Sequence, residues 1–172
     1  MSLIELVVTM SMALTMLAAL LGLWSSAASD ETVNAARYQT IDDASRSLER
    51  MTREVREAIS VVPASTSVVN LKVWKRGLTA ASASLTHDIS YDCSGAGSRP
   101  STYACRRNDT TAGSGPRLVI DGLASPAVFS NLAGEPALKI ALAVVVANQG
   151  RPIVLRSGAS PRNCHGALSS CT

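Results

Sequence analysis

The chain has 172 residues and a mass of 17.9 kDa, room for one compact domain of roughly 110–150 residues plus an appendage. Hydrophobic residues make up 47% against 17% charged, which excludes a disordered chain, and with aromatics at 3% the apolar content comes from Ala, Val, Leu and Ile. A formal net charge of +3 is too small to mark a nucleic-acid binder, but it is unevenly spread: residues 1–60 carry eight acids and five bases (net −3), residues 61–172 five acids and eleven bases (net +6).

Residues 1–29 hold a single ionisable side chain, Glu5, and from Leu6 to Trp24 nineteen residues pass with no charge, no proline and one glycine. As a helix this run reaches roughly 29 Å, about one hydrocarbon thickness. A secretory signal peptide would open on basic residues, hold a shorter apolar core and end in a small-residue cleavage site. An ordinary signal anchor is the plain alternative. Against it stands Glu5, because a carboxylate beside an apolar run is costly in lipid unless a cation partners it. The nearest candidate is the α-amino group of Met1.

The stretch Met1-Ser2-Leu3-Ile4-Glu5-Leu6-Val7-Val8-Thr9-Met10 resembles the start of a mature subunit of the type IV pilin and pseudopilin superfamily. The resemblance implies that Met1 is the end left by a prepilin peptidase, which removes a short basic leader and usually methylates the new amine. It also implies that Glu5 is the assembly residue, paired with the Met1 ammonium of a neighbouring subunit. Leu3, Ile4, Leu6, Val7, Met10, Leu14, Leu17, Leu20 and Leu21 would then form the filament-core face. Burial in low dielectric would make a mispaired register expensive.

From Asp30 the pattern becomes amphipathic: Val33, Ile41, Ala44, Leu48, Met51, Val55 and Ala58 or Ile59 recur at helical steps, with charges between them, Arg50, Glu54 and Arg56 included, that are expected on the solvated face. Asp42 with Arg46, Glu49 with Arg53, and Arg53 with Glu57 stand at pairing distance on the face expected to be solvated. The first proline is Pro63, so one helix is expected from about Ser2 to Ser60, on the order of 90 Å long. The organisation read from this is a transmembrane or filament-core helix at 1–29, an amphipathic continuation at 30–60 and an extracellular β-rich head at 61–172. Gly22 is the one helix-weakening residue in the apolar half, costing about 1 kcal/mol relative to Ala. Many members of the family carry a breaker near this position, where the helix unwinds in the fibre; a continuous helix and a local break both stay open here.

Strand candidates follow at Ser67–Trp74, Leu85–Tyr91, Thr102–Arg107, Arg117–Asp121, Ala127–Ser130, Ala137–Ala147 and Pro152–Ser157, with Gly95, Gly97, Gly113 and Gly115 at the turns. The run from Leu138 to Val146 is the most apolar and is expected to be a central strand. The fold class is therefore α+β, a long N-terminal helix packed on an antiparallel sheet; by resemblance it is a pilin fold. Several further segments, among them Leu48 to Arg56, Ile89-Ser90-Tyr91, Tyr103 to Arg107, Leu118 to Leu123, Val128-Phe129-Ser130 and Pro161-Arg162-Asn163, are similar to J-type minor pseudopilins and related minor pilins. The cysteine-containing terminal extension departs from that pattern.

Four cysteines fit an oxidising compartment and allow three pairings. Cys93 with Cys105 brackets a Gly- and Ser-rich loop and Cys164 with Cys171 a short tail, which favours two local bridges over crossed ones. Neither spacing suits a metal, and His165 beside Cys164 reads as a loop residue. No nucleophile elbow, phosphate loop or metalloprotease motif occurs, so neither an enzyme nor a cofactor is expected. The basic residues Arg99, Arg106, Arg107, Arg151, Arg156 and Arg162 are candidate contacts to DNA or a surface, which a filament would repeat along its length; solubilising charges and partners for the acidic helix are the plainer roles.

The function expected by resemblance is a structural subunit of a type IV pilus-like filament serving adhesion, motility or DNA uptake. Its partners would be itself as a homopolymer or other pilins, the prepilin peptidase and a membrane assembly platform. It would reside in the inner membrane before assembly and at the cell surface afterwards. The alternatives are a minor pseudopilin priming or capping a secretion pseudopilus, and a membrane-anchored extracellular binding module that never polymerises.

Overall fold

The computed structural model describes residues 2–74, 86–131, 137–146 and 151–162. Its elements in chain order are α1 (Leu3–Glu57), β1 (Ala58–Pro63), β2 (Val68–Trp74), β3 (Thr86–Ala96), β4 (Tyr103–Asp109), β5 (Ser114–Leu123), β6 (Phe129–Asn131), β7 (Leu138–Val144) and β8 (Ile153–Ala159). The chain divides into two compact units, Met1–Tyr38 and Gln39–Thr172.

The first unit is helical. The Ser2 carbonyl accepts the Glu5 and Leu6 N–H groups at 3.0 and 3.4 Å and closes the first turn. Ser2 and Glu5, three residues apart at the helix start, are the residue types of a capping box. The helix runs through Gly22 without interruption, and a Cβ there would meet nothing within 4 Å.

In the second unit α1 continues to Glu57, three residues short of the expected end. Ile59, Val61 and Val62 explain the early stop: β-branched side chains lose rotamer freedom against a preceding helical turn and fit a pleated strand instead. They form β1, a strand absent from the sequence-based expectation, which pairs antiparallel with β2 from Ala58↔Val73 to Pro63↔Val69. The Arg162 N–H donates to the Arg56 carbonyl at 3.2 Å and occupies one of the acceptors left free at the helix end.

All strand pairs are antiparallel. β1 to β5 lie in sequence order; β5 then joins β7 at Leu123↔Val144, and β7 carries β6 at Phe129↔Ile140 and β8 along its whole length. The run expected to be central is thus β7, flanked on one edge by β8 and on the other by β6 and β5 in turn. Alternation sets the two faces: in β2 Val69, Leu71 and Val73 are buried while Asn70, Lys72 and Trp74 face outward, and in β7 Leu138, Ile140, Leu142 and Val144 are buried. Ala44, Leu48, Met51 and Val55 recur at three- and four-residue steps on the helix and join those side chains, with Tyr91, Leu123 and Phe129, in one core. The architecture is α+β, with the sheet following a long N-terminal helix.

Candidate functional site

Two features stand out as carriers of function: the exposed apolar surface of the first unit and the charged residues of the second. Between Leu3 and Trp24 fourteen large apolar side chains are displayed, none less than 46% exposed. An 18-residue window of the helix reaches a mean hydropathy of 2.2, and the helix is long and apolar enough to cross a membrane. Covering this surface by lipid or by other helices is worth on the order of 20 kcal/mol from the usual transfer values, far more than a soluble chain leaves open to water.

The polar groups within the run are already accommodated. Thr9 Oγ1 donates to the Leu6 carbonyl at 3.0 Å, Ser11 Oγ to Val8 at 2.8 Å and Thr15 Oγ1 to Met12 at 2.8 Å. Each hydroxyl is satisfied within its own helix and needs no water. Glu5 stands in the first turn, ahead of this run. The expected core residues Leu3, Ile4, Leu6, Val7, Met10, Leu14, Leu17, Leu20 and Leu21 are all on the exposed surface. Met1, the expected partner of Glu5, lies outside the described residues.

In the second unit a polar chain crosses the helix-to-sheet contact. Arg107 Nε donates to Glu54 Oε1 and Oε2 at 3.1 and 3.0 Å, and Tyr91 Oη donates to Glu54 Oε2 at 2.8 Å. Arg107 Nη2 lies 3.8 Å from Asp109 Oδ2, and His87 Nδ1 lies 3.3 Å from Asp109 Oδ1. Burial, reinforced by the neighbouring Glu54 carboxylate, pushes the Tyr91 phenol well above its ordinary range. Burial alone would lower Arg107 and raise Asp109; Glu54 reverses the first, and the Ala112 N–H, His87 and Arg107 reverse the second, so both stay charged more firmly than in water.

This placement corrects two expectations. Arg107 is not an exposed cation available to DNA or a surface: its side chain is 14% exposed and engaged by Glu54. Glu54, read as part of the solvated helix face, is 16% exposed and is the acceptor at the centre of the chain. The Tyr91, Glu54 and Arg107 cluster has no short sequence motif, since its members come from β3, α1 and β4. Of the expected helix-face pairs, Asp42 and Arg46 meet at 2.8 Å.

The other basic candidates are exposed. Arg99 Nη1 donates to the Val145 carbonyl at 2.9 Å, and Arg106 stands opposite Asp92 across the β3–β4 ladder. Arg156 and Arg162 come together at a cavity of about 670 Å³ shared with Arg53 and Arg56 and with Glu49 and Glu57; Arg99, Arg106, Arg107 and Arg151 do not line it. Cys93 and Cys105 are bonded at an S–S distance of 2.06 Å and are fully buried across β3 and β4. Cys164 and Cys171, with His165, lie outside the described residues. Among the described residues no three His, Cys, Asp or Glu side chains converge as a metal site would need.

Comparison with known proteins finds no matching family model, no related curated protein and no similar solved structure. The functional reading therefore rests on the residues and their geometry.

Proposed function

We propose that this chain is a structural subunit of a type IV pilus-like filament, held in the inner membrane by its N-terminal helix and polymerised through that same helix. The observation that supports the reading is the exposed apolar surface from Leu3 to Trp24 with one acid, Glu5, at its head and an exported-type, disulfide-bonded β unit after it. A plain anchor has no use for a carboxylate at that point, whereas a helix that must exchange lipid for other helices in one register does. Each Glu5 is paired with the Met1 ammonium of a neighbour, and methylation of Met1 by a prepilin peptidase follows from the resemblance. The exposed cations Arg99, Arg106, Arg151, Arg156 and Arg162 recur along the filament and supply weak, multivalent contacts to DNA or to surfaces.

The test is Glu5→Ala in the native host. Membrane insertion, followed by fractionation, is unchanged, and the yield of sheared surface filaments falls. Normal filament yield from Glu5→Ala contradicts the assembly role.

A further inference from the structure

We propose that Arg53, Arg56, Arg156 and Arg162 form a cleft that binds a phosphate monoester, the doubly charged end of a phosphorylated sugar or lipid headgroup. The inference narrows the surface contact of Arg156 and Arg162 to one chemical group, and it needs no filament, because a single chain carries the whole cleft.

The cleft joins two distant parts of the chain. Arg53 and Arg56 stand three residues apart near the end of α1, a spacing that puts both on one helix face. Arg156 comes from β8 and Arg162 follows that strand, and all four side chains are exposed around one cavity of about 670 Å³. Thr52 Oγ1 donates to Ser157 Oγ at 3.4 Å, and the Arg162 N–H donates to the Arg56 carbonyl at 3.2 Å. The helix and the strand that carry the arginines are thus tied together at the cleft itself.

The charges are left uncompensated. Among the described residues none of the four guanidiniums has a carboxylate within ion-pair distance, and Arg53 does not close the helix-spaced pair with Glu49. Four guanidiniums against the carboxylates of Glu49 and Glu57 give the described lining a formal charge of +2. A phosphate monoester carries about −1.5 to −2 at neutral pH, and its three free oxygens accept N–H forks from several arginines at once. The negative end of the helix dipole, roughly half an elementary charge, is small beside four cations.

Glu49 and Glu57 also limit the ligand. They lie four residues before and four after Arg53, about 6 Å of rise either way. An extended polyanion following the helix meets a carboxylate on both sides, whereas a compact terminal phosphate does not. Arg99, Arg106 and Arg151 do not line the cleft and so do not extend it into a basic track.

The experiment is isothermal titration calorimetry of the full chain in neutral detergent micelles, with glucose 6-phosphate as the soluble probe and micelles doped with phosphatidic acid as the lipid one. Saturable binding is expected for at least one probe, and the tighter of the two identifies the source. Arg53→Gln and Arg156→Gln each weaken it at least about tenfold, while Arg106→Gln, outside the cleft, leaves it within about twofold. Glu49→Gln changes the affinity in the opposite direction, which no folding defect imitates: removing a carboxylate from the lining strengthens binding about two- to threefold. Glucose 6-sulfate, of similar shape but with one charge, binds at least about fivefold more weakly than glucose 6-phosphate. The absence of saturable binding for both probes overturns the inference, as does unchanged binding in Arg53→Gln and Arg156→Gln, or equal binding of glucose 6-sulfate and glucose 6-phosphate. A duplex oligonucleotide that binds through these arginines while neither phosphate monoester does overturns it as well. Filament yield is untouched by any of these results, so failure of the site is distinguishable from failure of the assembly reading.

Discussion

Arg106 and Arg107 are neighbours in sequence with opposite surroundings, and substituting each in turn separates a structural cation from a solvated one. Arg107→Met keeps an unbranched apolar stem of similar reach while removing the guanidinium that bonds both Glu54 oxygens at 3.1 and 3.0 Å. Breaking a buried ion pair by removing one partner costs about 3–5 kcal/mol. Here the residual exposure of the two side chains, 14% and 16%, and the contacts that Tyr91 and Arg50 still make to Glu54 reduce this to about 2–3 kcal/mol. For a unit of this size the midpoint of thermal unfolding falls by roughly 6–12 °C. Arg106→Met, at an exposed position, stays within about 0.5 kcal/mol of the parent. The assay is urea and thermal unfolding of the full chain in detergent micelles, followed by the tertiary circular dichroism signal. Glu54→Gln completes a double-mutant cycle: it keeps an acceptor for the Tyr91 hydroxyl, and its cost shrinks by about 1–2 kcal/mol in the Arg107→Met background. Equal losses from Arg106→Met and Arg107→Met, or a coupling energy of zero, would refute the reasoning.

The remaining predictions concern the same unit. Asp92, Asp109 and Asp121 are held below the ordinary carboxylate range, Asp92 chiefly by the Ser94 hydroxyl and N–H, Asp121 chiefly by hydrogen bonding from Ser98, and Asp109 by the Ala112 N–H, His87 and Arg107 acting against burial. The unfolded chain therefore binds more protons at acid pH, so their stabilisation is complete above the unfolded value near about 4 and is lost as pH falls through the lower folded values. Asp109→Asn flattens this acid limb in unfolding measured from neutral to acid pH; an unchanged limb counts against the account. Cys93→Ser with Cys105→Ser opens a bridge of sequence separation 12 and lowers stability by roughly 3 kcal/mol in the chain-entropy model, read as a lower urea midpoint. Gly97→Ala places a Cβ against the Thr102 hydroxyl and 2.8 Å from Asp121 Oδ1, costing about 1–3 kcal/mol by overpacking, whereas Gly115→Ala, where a Cβ meets nothing within 4 Å, costs much less; similar melts for the two would contradict the packing described.

Much of the fold was legible because it depends on local periodicity. The uncharged run after Glu5 fixes a helix, Leu48, Met51 and Val55 at three- and four-residue steps fix the face it buries, and the alternation in Val69-Asn70-Leu71-Lys72-Val73 fixes β2. The β1 strand was hidden because Ala58 and Ile59 continue the helical period of the residues before them; only the pairing of Ala58 with Val73, and of Ser60 to Pro63 with the rest of β2, decides that the segment extends. Glu54 looked like one more helix-face charge for a similar reason. Its environment is set by Arg107, 53 positions away in sequence, and by Tyr91, and no local pattern encodes that meeting. The same distance effect makes Arg107 resemble Arg106. The apolar surface and Glu5 were readable because their signal is an absence of charge over nineteen consecutive residues, which needs no tertiary knowledge.

The central claim is that this chain polymerises through its apolar helix. The most direct measurement is to shear surface filaments from the native host, image them, and identify and quantify their subunits by mass spectrometry, with the N-terminal residue sequenced. The account predicts this chain within the filaments, beginning at a methylated Met1, and its loss from them in Glu5→Ala while the membrane fraction retains it. Recovery of the chain from the membrane fraction alone, with filaments absent or lacking it, would contradict the account.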